Sequence, residues 1–173
     1  MNEELEAKLL EGLNPQQREA VLINEGALLV FAGAGSGKTK VIATKIAYAI
    51  QCLGIKPWEI LAVTFTNKAC REMQERVVSI MGQGYEDMAK SVNIRTFHSF
   101  GVWMLRRYGS YGGLDQNFKI YDEDDGAVLL QQCYPDGNKK ELVKAAKIIA
   151  TLKDKMEKPN PKNMAMPNLV QYY

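Results

Sequence analysis

Residues 27–40 read ALLVFAGAGSGKTK: an apolar run, a bend built from alanine, glycine and serine, then lysine and threonine. The stretch that follows, KVIATKIAYAIQCLG, sets Val41, Ile42, Lys45, Ile46, Ala49 and Ile50 at largely helical spacing. The order is therefore buried strand over 27–32, tight loop, helix. Few arrangements accommodate it, because a strand that turns straight into a helix must cover one face of a sheet with that helix.

The same order recurs twice. EILAVTF (59–65) precedes NKACREMQERVVSIMG (67–82), and SVNIRTF (91–97) precedes HSFGVWMLRRYG (98–109), each helix running to a glycine near its end. Three βα units imply an α/β fold with a parallel sheet and flanking helices. After GSYGG (109–113) the character changes. A short FKIY, then DEDDGAVLLQQCY and KKELVKAAKIIATLKDKMEK, suggest helices before a proline-broken tail, so a boundary is expected near residue 110.

At 173 residues and 46% hydrophobic, the chain is long enough for one compact domain, or for a domain and part of a second. Its 22 basic and 20 acidic side chains leave a net charge of +2, so a nucleic-acid partner must be held by local features and not by the field of the whole molecule. Cys52, Cys70 and Cys133 show no paired spacing, MNEELEAKLLEG is too charged for a secretory signal, and no apolar run would span a bilayer. A soluble protein of the reducing cytoplasm is expected.

In the bend, glycines accept positive φ and present no side chain, so backbone N–H groups from Gly33, Ala34, Gly35, Ser36 and Gly37 can turn inward on a polyphosphate at the start of a helix. Lys38 would reach the β- and γ-phosphates, and the Thr39 hydroxyl would ligate the bridging Mg²⁺. These are the features of a P-loop. The strict pattern asks for glycine at Ala32, a departure the backbone tolerates if that position keeps ordinary strand angles. Hydrolysis also needs a second acid on Mg²⁺. Asp122 and Glu123 follow a strand-like run, but Lys119 interrupts it, and the segment reads better as the acidic first turn of a helix.

Upstream, LNPQQREAV (13–21) is a helix with Asn14 as cap and Pro15 in its first turn. Taken with AGAGSGKT, AVTFTNKACREMQERV and RTFHSFGVWMLRR, it resembles the N-terminal segment of the UvrD/Rep family of superfamily 1 DNA helicases, through nearly all of residues 10–110. The resemblance implies a RecA-like P-loop NTPase motor domain over 1–110 and a partial helical subdomain over 111–173, with ATP and Mg²⁺ as cofactors. It places Gln17 on the adenine edge, with Gln16 as its solvent-facing neighbour. Where the family commonly has arginine after the P-loop threonine, near the base, this chain has Lys40, which lacks a planar stacking face.

The resemblance further implies single-stranded DNA, and a junction of single and double strands, as partners. It sets Phe65, Asn67 and Lys68 of TFTNK beside the single strand, and Thr96 and His98 of RTFHS along its backbone path. From the residues alone, Phe65 equally fills the core and Asn67 equally caps the next helix. Phe97 is expected to point into the core, because side chains alternate along a strand. Arg106 and Arg107 would follow phosphates or form a solvated face, and Lys139, Lys140, Lys144 and Lys147 read as an exposed helix face.

The family's acidic DE motif and second motor domain are absent before Tyr173, so the chain is expected to be the amino-terminal part of a longer 3′–5′ helicase, binding nucleotide weakly without turnover by itself. Two other classes remain open from the residues: a small phosphotransferase using the same loop, with an acid such as Asp122 on Mg²⁺, and a nucleotide-gated DNA-binding module without chemistry.

Overall fold

Two strands are joined by a parallel crossover. In the computed structural model, which describes residues 3–158, strand β1 (Leu61–Thr64) leads through helix α4 (Asn67–Met81) and the short α5 (Glu86–Lys90) to strand β2 (Asn93–Thr96). The two strands pair in parallel with Leu61 opposite Asn93 and Thr64 opposite Thr96. Thr66 starts α4 by accepting a hydrogen bond from the Ala69 N–H at 3.1 Å, and Gly82 stops it with a φ of 77°. Between those signals Met73, Val77 and Met81 recur every fourth residue and are buried. Each such side chain contributes about 1.5–3 kcal/mol of apolar burial.

The helices α1 (Glu3–Leu10), α2 (Pro15–Leu22) and α3 (Lys38–Gln51) precede this crossover. α3 packs against all of α1, α2 and α4. Its inward face is Val41, Ala43, Thr44, Ile46, Ala47, Tyr48 and Ile50, and together with Val21 and Val77 these make the main core. Ile42, counted with the apolar stripe from its spacing, lies on the exposed side. α6 (Phe97–Tyr108) follows β2 directly and closes a compact unit that runs to Gln116.

A second unit begins at Asn117. Its described part is the pair α7 (Glu123–Cys133) and α8 (Lys139–Asp154), which bury Leu130, Leu142 and Ala145 against one another. Asp122 is the cap of α7, its carboxylate accepting from the Asp125 N–H at 2.8 Å, as an acidic helix start requires. Lys139, Lys140, Lys144 and Lys147 are exposed on α8. The proline-broken tail expected beyond Lys158 lies outside the described residues.

One expectation fails. Residues 27–32 are not a buried strand: the segment belongs to no sheet among the described residues, and Leu29 and Phe31 are 75% and 89% exposed. A strand buried on both faces needs a neighbour on its edge to satisfy its N–H and C=O groups. Among the described residues β1 and β2 pair only with each other, so two of the three expected βα units contribute strands, to a two-stranded parallel sheet.

Candidate nucleotide site and nucleic-acid face

The glycine loop is shaped by two residues in the left-handed region, Gly35 (φ 75°) and Gly37 (φ 84°). Ala32 and Ala34 need no such angles, since the one described non-glycine residue with positive φ is Met156. The Ser36 hydroxyl donates to the Gly33 carbonyl at 2.8 Å and tightens the bend. Lys38, the first residue of α3, folds back over it: its ammonium donates to the Ala32 carbonyl at 2.9 Å and to the Gly33 carbonyl at 2.5 Å. The cation is thus already held over the loop whose N–H groups precede the helix.

Gln17 reaches the same loop from α2. Its Oε1 accepts from the Asn14 N–H at 3.1 Å, completing a capping box with Asn14, and its Nε2 donates to the Ser36 carbonyl at 2.9 Å. These partners fix the orientation of the amide. A primary amide has two donor hydrogens and two acceptor lone pairs, so one donor and one acceptor remain. Gly37 makes the approach possible, because a Cβ there would stand 2.9 Å from Gln17 Nε2. Gln17, Lys38 and Ser36 line one hollow of about 320 Å³ with Gln16, Phe31 and Ile42. The hollow thus brings together one ammonium, side-chain amides and apolar side chains.

Thr39 opens instead onto a hollow of about 360 Å³ shared with Glu72, Glu75 and Arg76 of α4. Lys40 also points away from the Gln17 hollow, its ammonium donating to the Gly12 carbonyl at 2.8 Å. Lys45, on the same helix, donates to the Ala20 and Val21 carbonyls at 3.1 and 3.3 Å and to that of Ile23. Burial pulls its pKa below the ordinary lysine value.

A second cluster lies at the carboxyl end of the sheet. Because Thr64 and Thr96 are in register, the residues that follow them, Phe65 and Phe97, leave the strands side by side. Their ring centroids are 5.3 Å apart at 44°. Phe65 is 89% exposed and Phe97 54% exposed, so neither belongs to the core. The placement of Phe97 corrects the expectation from alternation: β2 ends at Thr96, which caps α6, and Phe97 is already the first helical residue. The Thr96 hydroxyl accepts from the Ser99 N–H at 3.1 Å, and the Ser99 hydroxyl accepts in turn from the Thr96 N–H at 3.0 Å. Thr96→Ala is expected to lower stability by about 1 kcal/mol, with Thr96→Ser retaining most of it, in a urea titration.

α4 and α6 thus present adjacent N-termini, with Asn67 and Lys68 exposed on the first turn of one and His98 exposed on the first turn of the other. Asn67 is not the cap of α4, which is Thr66. Lys68 pairs with Glu72 at 3.8 Å across two exposed side chains, a weak interaction in water. Helix N-termini favour anions, and here two of them flank a pair of exposed rings.

A profile of the UvrD/REP helicase N-terminal domain matches residues 13–171. The chain belongs to the UvrD/REP helicase N-terminal domain family. The ATP-dependent DNA helicase PcrA of Bacillus subtilis is 52% identical over 131 residues, 76% of this chain and 17% of that protein. The ATP-dependent DNA helicase UvrD1 of Mycobacterium leprae is 50% identical over 130 residues, 75% of this chain and 16% of that protein. The ATP-dependent DNA helicase PcrA of Leuconostoc citreum is 46% identical over 130 residues, 75% of this chain and 17% of that protein. The chain therefore spans about a sixth of the length of these relatives.

Within this UvrD/REP domain the expected nucleotide residues divide. Gln17, Ala32, Ser36 and Lys38 share one hollow; Thr39 and Lys40 face elsewhere. Of the expected DNA residues, Phe65, Asn67, Lys68 and His98 are exposed at one end of the sheet, and Thr96 is buried beneath them as a cap. Two residues to which the sequence reading gives no such part are Phe97, which lies in the ring cluster, and Lys45, which binds the end of α2. Phe97 was recoverable, since T-F-H-S carries the capping pattern that ends the strand one residue early. Lys45 had no local signal, because its acceptors lie more than twenty residues away in sequence. Among the described residues, no helix is long and apolar enough to cross a membrane.

Proposed function

We propose that this chain supplies the nucleotide cradle and a single-stranded DNA grip of a cytoplasmic ATP-dependent DNA helicase or translocase, with 3′–5′ polarity implied by resemblance. In this reading residues 1–110 are the start of a RecA-like motor domain and residues 111–173 part of a helical subdomain. The observation that carries it is the spare donor and acceptor of Gln17, held over the same hollow as the Lys38 ammonium. Adenine offers an N6 donor beside an N7 acceptor, the complement of that pair. The loop N–H groups and Lys38 would take the phosphates. Thr39, which opens onto the neighbouring hollow with Glu72 and Glu75, would hold Mg²⁺, whose charge would offset that of the phosphates.

Single-stranded DNA would lie across the Phe65 and Phe97 rings, with phosphates toward the N-termini of α4 and α6 and toward Lys68 and His98. Stacking on aromatic faces is indifferent to base identity, which suits a protein that moves along any sequence and meets single-strand/double-strand junctions. Thr96 would serve this face by setting the direction of α6.

Weak binding without turnover is the reading for the chain by itself. It is supported by a hollow whose one charged lining side chain is Lys38, while Glu72, Glu75 and Arg76 lie instead in the hollow that Thr39 opens onto. Isothermal titration of Mg–ATP into the chain is expected to show weak, saturable binding, with no phosphate release above background even with single-stranded DNA present. Robust ATPase activity of the purified chain would overturn the second half of this statement; absence of any binding would overturn the first. The phosphotransferase alternative gains no support from Asp122, whose carboxylate accepts from the Asp125 N–H as the cap of α7.

A further inference from the structure

The reach of Gln17 depends on how α2 is held, and α2 is held at both ends. Its N-terminal end is tied to the loop through Asn14, Gln17 and Ser36. Its C-terminal end poses the usual difficulty that the last carbonyls of a helix have no partner within it, and α2 has no basic residue in its last turn to supply one. Lys45 supplies it from α3. Its three ammonium protons are shared among four oxygens: the carbonyls of Ala20 (3.1 Å), Val21 (3.3 Å) and Ile23, and Oδ1 of Asn24 (3.5 Å). A partly buried ammonium is costly unless so surrounded, and a cation at a helix C-terminus also meets the negative end of its dipole.

Lys45 stands seven positions after Lys38 on one helix, two turns or about 10 Å along the axis and on nearly the same face. One rigid element therefore carries both the lysine that grips the loop and the lysine that clamps the helix bearing Gln17. We propose that Lys45 is a positioning residue for the adenine end of the nucleotide site: by clamping the C-terminal end of α2 to α3, it fixes how far Gln17 extends over the glycine loop. This rests on the nucleotide reading given above.

The test uses the whole 173-residue chain and two titrants, Mg–ATP and Mg–tripolyphosphate, by calorimetry. Lys45→Met is expected to weaken ATP about tenfold, the size of one hydrogen bond to the base, and to leave tripolyphosphate within about twofold. Lys45→Arg, which keeps the charge and the donors, restores ATP affinity to within about threefold. Against a Gln17→Ala background, Lys45→Met has no further effect on ATP, because the residue through which it acts is gone. Equal weakening of both titrants, or an undiminished loss in the Gln17→Ala background, overturns the positioning role and leaves Lys45 a structural clamp only. If Lys45→Met does not melt cooperatively, the same cycle is read on Lys45→Gln, which keeps two uncharged N–H donors on a shorter stem. Failure of the unsubstituted chain to bind either titrant overturns the nucleotide reading itself, and a chain that binds tripolyphosphate as tightly as ATP overturns the adenine contact alone.

Discussion

Lys38→Ala is expected to lower the affinity of this chain for Mg–ATP by about two orders of magnitude while leaving its unfolding transition essentially where it is. The size follows from the contacts at stake. An ammonium that spans two phosphates makes two charge-assisted hydrogen bonds, and at about 1.5 kcal/mol each their loss is worth a little over a hundredfold. Stability is spared because Lys38 is exposed and its present acceptors, the Ala32 and Gly33 carbonyls, return to water when it goes. Calorimetry on the substituted chain, paired with a thermal melt, reads both quantities. Unchanged ATP binding would mean that the loop is a flexible turn with a surface lysine.

Phe65→Ala carries the other large effect, on single-stranded DNA. Loss of one stacked base is worth about 1–3 kcal/mol, or roughly tenfold to a hundredfold in affinity for an oligothymidylate followed by fluorescence anisotropy. Mg–ATP binding should be unaltered, since Phe65 is absent from the hollow that Gln17 and Lys38 line. Because the ring is 89% exposed, its removal should shift stability by no more than about 0.5 kcal/mol. That separation of DNA affinity from stability distinguishes a platform from a core residue. Phe97→Ala should act in the same direction, given the 5.3 Å between the two ring centroids. DNA affinity that survives both changes would remove the sheet end from the proposal.

Local chemistry was the legible part of this chain. The capped start of α2 at Asn14 and Pro15, the helix that begins at Lys38, and the acidic cap of α7 at Asp122 all follow from side chains within a few positions of one another. Burial was less legible. The apolar content of 27–32 specifies a segment that prefers to be covered but says nothing of whether a neighbour covers it, and here Phe31 is in solvent. Phe97 shows a finer failure: alternation along a strand is a sound rule only up to the residue where the strand stops, and a capping threonine moved that point by one. The clamp formed by Lys45 was invisible for another reason. Its meaning comes from carbonyls presented by a helix that must first fold and then dock, and no spacing within KVIATKIAYAIQ encodes that meeting.

The uncovered run 27–32 has a practical side. A backbone stretch outside any ladder, carrying Leu28, Leu29, Val30 and Phe31 in contact with water, is a template for adhesion between molecules. The same stickiness that would recruit a further strand in a longer polypeptide turns, at high concentration, toward a neighbouring copy, so dilute handling and a charged substitution at Leu29 are the natural remedies for a turbid preparation.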